Sequence, residues 1–120
     1  MAYRQRIGQW GEGLAKYFLI EKGFHPIAAN LRTRNGEIDL VMNDGSLVVF
    51  VEVKTRTNRE YGLPEVSVTR QKQLHMKLSA EFLMQQHPDW GDNWRIDVLA
   101  ISGRPGDAAP EILWFENAVE

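Results

Sequence analysis

Ionisable residues inside two strongly apolar runs are the feature that most constrains how this chain can fold. Residues 34–41 read RNGEIDLV and residues 47–56 read LVVFVEVKTR. Two runs rich in β-branched residues, separated by a polar turn, predict a β-hairpin. Asp39 stands between apolar neighbours in the first run, and Glu52 and Lys54 alternate with valines in the second. Because a charge inside a strand costs stability unless it pairs or binds something, the hairpin is a candidate functional site.

The length of the turn decides where these carboxylates lie relative to each other. A two-residue loop at 44–45 would place Phe50 opposite Asp39 and make Glu52 a diagonal neighbour, whereas a loop at 45–46 would place Glu52 directly opposite Asp39. Both registers put the two carboxylates on one face, and a three-residue loop would separate them. Close carboxylates repel unless a cation lies between them. Oxygen ligands without cysteine or paired histidine favour Mg²⁺ or Mn²⁺ over zinc.

The rest of the chain predicts an α/β fold with a mixed central sheet flanked by helices. The expected order is α-β-β-β-α-β with a further short strand at the end. Outside the hairpin, the predicted elements are a helix over 8–22, a strand over 24–31, a helix over 69–86, a strand over 95–101 and a short strand over 112–115. Pro26 favours an edge position for the first strand.

Helical periodicity predicts which faces of the two helices are buried. Leu14 and Phe18 belong to an apolar stripe on the first helix. On the second helix Leu74, Leu78 and Phe82 recur every four residues and form one apolar stripe, flanked by Met76, Ala80 and Leu83.

Composition indicates an ordinary globular protein. The chain has 120 residues, of which 43% are hydrophobic and 25% charged, and we expect one domain over 1–120, with a core at about 8–101 and a C-terminal strand at about 112–116. It contains no cysteine, which excludes disulfides and thiolate metal sites. No apolar run approaches membrane-spanning length, so we expect a cytoplasmic protein with no membrane partner.

Charge is distributed unevenly along the chain. Residues 1–80 contain 12 Lys and Arg against 8 Asp and Glu, whereas residues 81–120 contain 2 against 8. The net charges of these segments are therefore +4 and −6. This asymmetry permits a basic face despite the slightly acidic total.

The ordered motifs resemble a known group of nucleases. Asp39 followed by Glu52-Val53-Lys54 is similar to the core of the PD-(D/E)XK superfamily, with Ile38 in place of the proline. The wider set resembles the YraN family of uncharacterised bacterial proteins, considered similar to archaeal Holliday-junction resolvases. This set comprises Gly11-Glu12, Gly36-Glu37-Ile38-Asp39-Leu40, Phe50-Val51-Glu52-Val53-Lys54-Thr55-Arg56, Tyr61-Gly62 and Arg95-Ile96-Asp97. The resemblance implies a restriction-endonuclease-like core.

The same resemblance implies a metal-dependent active site. Asp39 and Glu52 would ligate Mg²⁺ or Mn²⁺, with the Val53 carbonyl as a further ligand. Glu12 would reach the ion from the first helix, directly or through water. Lys54 would orient the attacking water or stabilise charge on the phosphate.

DNA is the partner that this assignment implies. Arg32, Arg34, Arg56 and Arg59 flank the site and could contact the phosphate backbone. By resemblance, Lys72 on the second helix is a weaker candidate for the active site or for phosphate contact. A homodimer would follow by analogy with resolvases, whose paired active sites cut two strands.

Three functional hypotheses therefore stand. The first is an endonuclease that hydrolyses DNA phosphodiester bonds, in branched or damaged DNA. The second is a non-catalytic nucleic-acid-binding module on the same fold, and the third is a protein-interaction domain. Each candidate also has a structural alternative. Asp39 could be an exposed edge-strand residue, and Glu52 and Lys54 could form a solvated polar stripe. Glu12 could be an acid near a helix start and Lys72 a solvated lysine. Asp97 is expected to cap or pair structurally.

Overall fold

Two α-helices enclose a five-stranded sheet in the part of the chain that the computed structural model describes, residues 2–57 and 69–119. The elements are α1 (Tyr3–Glu21), β1 (His25–Thr33), β2 (Gly36–Asn43), β3 (Val48–Arg56), α2 (Arg70–Gln86), a 3-10 helix (Pro88–Trp90), β4 (Trp94–Ser102) and β5 (Glu111–Phe115). The predicted α-β-β-β-α-β order with a final strand is confirmed.

The strands lie in the sheet in the order in which they occur in the chain. β3 and β4 are parallel, and every other neighbouring pair is antiparallel. The connection from β3 to β4 contains α2, as expected for parallel neighbours, which need a long crossover. β1 is an edge strand, which confirms the expectation from Pro26, and its register shifts between Pro26 and Ala28.

The β2–β3 hairpin adopts the register of the 45–46 loop. Leu40 pairs with Val51 and Asn43 with Val48, and the Asp44 N–H donates to the Leu47 carbonyl over 3.2 Å. Gly45 has a φ of 99°, which a residue without Cβ adopts at little cost. This register, continued by one pair, places Glu52 opposite Asp39.

The sheet carries an apolar core on each face. On one face Ala15 and Leu19 of α1 pack against strand residues that include Val51 and Leu99. On the other face Met76 of α2 packs in a cluster that includes the following strand and C-terminal residues: Ile38, Val41, Phe50, Ile96 and Val119.

The predicted buried face of α2 is wrong. Leu74, Leu78 and Phe82 are 54%, 38% and 40% exposed. The buried residues of α2 are instead Met76, Ser79, Ala80 and Leu83. Small side chains at 79 and 80 let the helix approach the sheet closely, and the hydroxyls of Ser79 and Thr33 lie 2.8 Å apart. The helix carries two apolar stripes, and its contact with the sheet decides which of them is buried.

Helix α1 begins five residues earlier than predicted, at Tyr3. The Ala2 N–H donates to Gln5 Oε1 over 3.2 Å, which closes the first turn without a Ser, Thr, Asp or Asn cap. Glu12 therefore lies in the middle of α1, and its interpretation as an acid near the helix start is wrong. Among the described residues, neither helix is long and apolar enough to cross a membrane.

Candidate functional site

Strands β2 and β3 separate at Asp39, and the region around Asp39 and Glu52 is called the break below. Leu40 packs in the α1 cluster and Val41 in the α2 cluster, as alternation requires, yet Ile38 also packs in the α2 cluster. The alternation is therefore interrupted at Asp39. In β1 the facing residue, Asn30, has a φ of 53°, a left-handed conformation that asparagine tolerates better than most residues. The regular alternation of side chains between the two faces of the sheet is thus interrupted at the same point in β1 and β2.

The side chain of Asp39 crosses to β3 at this interruption. The Val53 N–H donates to Asp39 Oδ2 over 2.8 Å, so a carboxylate takes the place of a strand carbonyl. Backbone pairing of β2 with β3 ends at Leu40 and Val51. Glu52 and Lys54 consequently lie where β3 is paired with β4 but β2 has diverged.

Helix α1 brings Glu12 to this break from one face of the sheet. Gly11 permits the approach, because a Cβ atom at that position would overlap the side chain of Thr55 in β3. Asn30 then holds the carboxylate. In the amide orientation that satisfies its neighbours, Asn30 Nδ2 donates to Glu12 Oε1 over 3.1 Å and to Glu37 Oε1 over 3.0 Å.

Helix α2 brings Lys72 to the break from the opposite face. Its Nζ lies 2.6 Å from Glu52 Oε1, and the Glu52 side chain is only 9% exposed. The Thr69 hydroxyl accepts a hydrogen bond from the Lys72 N–H and caps the helix. The alternative that Lys72 is simply a solvated lysine is therefore wrong, since it forms an ion pair with a buried carboxylate.

The carboxylates at the break perturb one another. Burial, followed by the charge of Glu52, raises the pKa of Asp39 to about 7, and Glu12 and Glu37 act in the same direction. The hydrogen bond from Val53 opposes this shift but does not cancel it. Burial also raises the pKa of Glu12, with contributions from the charges of Glu37 and Glu52. The break is thus a cluster of acids that lacks sufficient positive charge.

The pKa values of Lys54 and Lys72 shift in opposite directions. Burial and the charge of neighbouring Lys72 lower the pKa of Lys54. Burial also disfavours the charge of Lys72, but its hydrogen bond to Glu52 and the charge of that carboxylate raise its pKa overall. Lys72 is therefore held as the cation of an ion pair, whereas Lys54 gives up its proton more readily than an ordinary lysine.

The donor set fits a hard divalent cation with few protein ligands. Within residues 2–57 and 69–119, no three His, Asp or Glu side chains converge closely enough to enclose an ion. Mg²⁺ usually keeps several waters and takes one or two carboxylates plus substrate phosphates, so it does not need such a cage. Asp39 and Glu52, supplemented by the Val53 carbonyl, would be the ligands of such a site. Glu12, held by Asn30, would contribute through water.

The predicted phosphate-binding residues lie around the break with different degrees of exposure. Arg32 is 88% exposed at its side chain, and its Nε lies 3.9 Å from Glu37 Oε2. Arg34 is exposed and Arg56 is half-buried. Arg59, like Tyr61 of the family motif, lies outside the described residues.

Clefts open on both faces of the sheet at this point. The cleft beside α2 measures about 500 Å³ and is lined in part by Glu37, Glu52, Lys72 and His75. The cleft beside α1 measures about 450 Å³ and is lined in part by Tyr3, Arg4, Glu12, Val53 and Thr55. Glu52 and Lys72 are therefore accessible from the α2 side, and Glu12 and Val53 from the α1 side.

Sequence reasoning missed Asn30, which positions two of the acidic side chains. The sequence did contain a signal, namely an asparagine inside an otherwise apolar strand segment. Asparagine tolerates a positive φ better than most residues. Glu37 lines the α2 cleft and shares Asn30 with Glu12.

Comparison with known proteins places this arrangement among uncharacterised relatives. The profile of the uncharacterised protein family UPF0102 matches residues 11–101. A UPF0102 protein of Pseudomonas savastanoi pv. phaseolicola is 42% identical over 98% of this chain and 95% of its own length. A UPF0102 protein of Caldicellulosiruptor bescii is 45% identical over 81% of this chain and 82% of its own length.

Proposed function

The chain belongs to the uncharacterised protein family UPF0102, which is the YraN family that its motifs resemble, and we propose that it is a metal-dependent endonuclease acting on DNA. The observation that carries this proposal is the meeting of Asp39, Glu52 and Lys54 at the break between β2 and β3. Glu12 and Lys72 arrive there from opposite faces of the sheet. Burial and neighbouring carboxylates raise the pKa of Asp39 to about 7, and such a perturbed acid beside a cleft supports a functional role.

Asp39 and Glu52 hold Mg²⁺ or Mn²⁺ in this proposal. When bound, the ion lowers the pKa of a water and offsets charge on the phosphodiester. Ion binding requires the carboxylate form of both residues. Because the pKa of Asp39 is raised to about 7, protons compete with the ion, and activity rises as the pH increases through neutrality.

Lys54 assists the attacking water. Its side chain follows Glu52 on the same face of β3, since residues two apart in a strand point in the same direction. A compact ammonium can orient a water or stabilise developing negative charge. The depressed pKa of Lys54 also makes proton exchange with that water easier.

The phosphate backbone is bound by cations around the break. Arg32 and Arg34 project into solvent from the end of β1 and the turn that follows it. Their contacts would give affinity without reading base sequence and would weaken as salt increases. Branched or damaged DNA is the proposed substrate class, and it comes from the resemblance to resolvases.

The test is cleavage of supercoiled plasmid and of a synthetic four-way junction with Mg²⁺ or Mn²⁺. Asp39→Asn and Lys54→Ala should each lower the cleavage rate by about 100-fold or more, and chelation should abolish cleavage. Asp92→Asn and Lys77→Ala are matched controls away from the break, and they should stay within about twofold of wild type.

Equal cleavage by wild type and by both site variants would identify a contaminating nuclease and refute the proposal. Binding of DNA without cleavage in either ion would instead support the non-catalytic nucleic-acid-binding module. Binding that is indifferent to salt would contradict the phosphate contacts assigned to the arginines.

A further inference from the structure

The ion pair between Lys72 and Glu52 joins two elements at the point where a divalent ion would bind. Glu52 is nearly buried and needs a partner for its charge. The partner that it has is Lys72, at 2.6 Å. Because Glu52 Oε1 already faces an ammonium, a divalent ion arriving at the same carboxylate competes with Lys72 for it.

Lys72 is able to leave. Its side chain is 42% exposed, compared with 9% for Glu52, so its ammonium can return to water at much lower cost than the carboxylate. It also lies in the first turn of α2 and lines the cleft beside that helix. The four-carbon stem of a lysine lets the charge move while the helix stays in place.

Charge around the break favours this exchange. Glu52, Glu12 and Glu37 all place negative charge near Asp39, and Lys72 and Lys54, which both interact with Glu52, do not fully offset it. A divalent ion supplies twice the charge of Lys72. Once that ion is bound, Lys72 loses its partner carboxylate, lies beside the charge of Lys54 and lines a cleft of about 500 Å³.

We propose that Lys72 is a built-in counter-ion of Glu52, that a divalent cation displaces it, and that the released ammonium then binds a substrate phosphate. This inference rests on the proposed function, because it assumes the metal site at Asp39 and Glu52. Lys72 is a positioning residue in this scheme: it keeps the metal-free site neutral enough to stay folded and provides a phosphate contact only after the metal has bound.

Metal affinity provides the first test. Titration calorimetry with Mn²⁺ should show about fivefold tighter binding by Lys72→Met than by wild type, since the ion no longer competes with an ammonium. Lys77→Met removes the same charge from the same helix but away from Glu52, and its Mn²⁺ affinity should stay within about twofold of wild type. Thermal melting of both variants checks that they fold.

DNA binding provides the second test and moves in the opposite direction. It is measured in a Lys54→Ala background, so that the strand is not cut. With Mn²⁺, adding Lys72→Met should weaken binding to a short duplex and lower the slope of log affinity against log salt by about one. Without a divalent ion the two proteins should bind equally, because Lys72 is then occupied by Glu52.

The outcomes separate this inference from the proposed function. The exchange is overturned if Lys72→Met leaves Mn²⁺ binding unchanged or weakens it, while Asp39→Asn and Glu52→Gln abolish it. That result would leave the proposed nuclease site intact. Absence of Mn²⁺ binding in every variant overturns the metal site and the exchange together. A loss of DNA affinity that is the same with and without Mn²⁺ shows a constant phosphate contact and also overturns the exchange.

Discussion

Two aspartates in neighbouring parts of the sheet have similar sequence surroundings and very different environments. Asp39 in β2 and Asp97 in β4 each follow an isoleucine and precede an aliphatic residue. Asp97 is fully buried and its carboxylate is well compensated. It accepts hydrogen bonds from Arg95 Nε at 2.9 Å, Arg95 Nη2 at 3.1 Å, Trp114 Nε1 at 2.9 Å and the Asn117 N–H at 2.8 Å.

The carboxylate of Asp39, in contrast, has few donors and several negatively charged neighbours. It accepts a hydrogen bond from the Val53 N–H and faces the charges of Glu52, Glu12 and Glu37. The comparison shows that an aspartate inside an apolar strand is not in itself a sign of function. The distinguishing property is whether the fold supplies enough donors and positive charge to satisfy the carboxylate. At Asp97 the fold does so, and the residue fastens the C-terminal segment to β4.

The largest expected effect is the loss of stability on neutralising Asp97. Asp97→Asn leaves Arg95 without its buried partner and sets an amide NH₂ against donors. The free energy of unfolding should fall by about 4 kcal/mol, as for other broken buried ion pairs. Urea denaturation followed by circular dichroism measures this change.

Asp92→Asn is the matched control, because Asp92 is exposed. Its effect on the free energy of unfolding should stay within about 0.5 kcal/mol. A loss below about 1 kcal/mol in Asp97→Asn would mean that the network around Asp97 contributes little, and the contrast between the two aspartates would disappear.

Neutralising Asp39 should instead increase the free energy of unfolding. Because its pKa rises from 3.8 unfolded to about 7 folded, ionisation destabilises the fold, and stability falls as the pH increases from about 4 to about 7. Asp39→Asn removes this penalty. At about pH 8 and without divalent ions, it should be about 2 kcal/mol more stable than wild type, since water near the partly exposed side chain moderates the full shift.

Urea denaturation over a series of pH values measures this difference. The advantage of Asp39→Asn should vanish at about pH 4, where the wild-type carboxyl is protonated in both states. A variant that is less stable than wild type at alkaline pH would show that Asp39 is a structural residue like Asp97. That result would remove the reason for placing a cation beside it.

Much of this arrangement could be predicted from the sequence, because local patterns determine it. Both two-residue loops that the sequence allows put Asp39 and Glu52 on one face, and the structure adopts the register of the Gly45-Ser46 loop as far as Leu40 and Val51. Element order and the capping threonine of α2 were also predictable from local chemistry. The expectation that Asp97 is a structural partner is confirmed, but its sequence motif did not identify the donors that compensate its carboxylate.

What could not be predicted depends on how the helices dock. Leu74, Leu78 and Phe82 formed the more regular stripe, but the sheet receives the stripe with the smaller residues Ser79 and Ala80. That choice rotates α2 and turns Lys72 toward Glu52. The change of phase at Asp39 and Asn30 requires two strands to deviate together, which no single-strand pattern reveals.

The smallest expected effect shows most directly whether the compensation missing at Asp39 is a divalent ion. A ligand that binds only the folded state stabilises it, and Mn²⁺ at ten times its dissociation constant should add about 1.4 kcal/mol to the free energy of unfolding of the wild type at about pH 8. Chelation should reverse this gain, and at about pH 5 it should shrink because protons occupy Asp39. Asp97→Asn should be less stable than wild type but should gain the same stabilisation from Mn²⁺, since Asp97 lies in a separate network. Asp39→Asn should be more stable than wild type but should gain no stabilisation from Mn²⁺. An equal Mn²⁺ gain in both variants would place the ion elsewhere and leave Asp39 an uncompensated acid without a ligand.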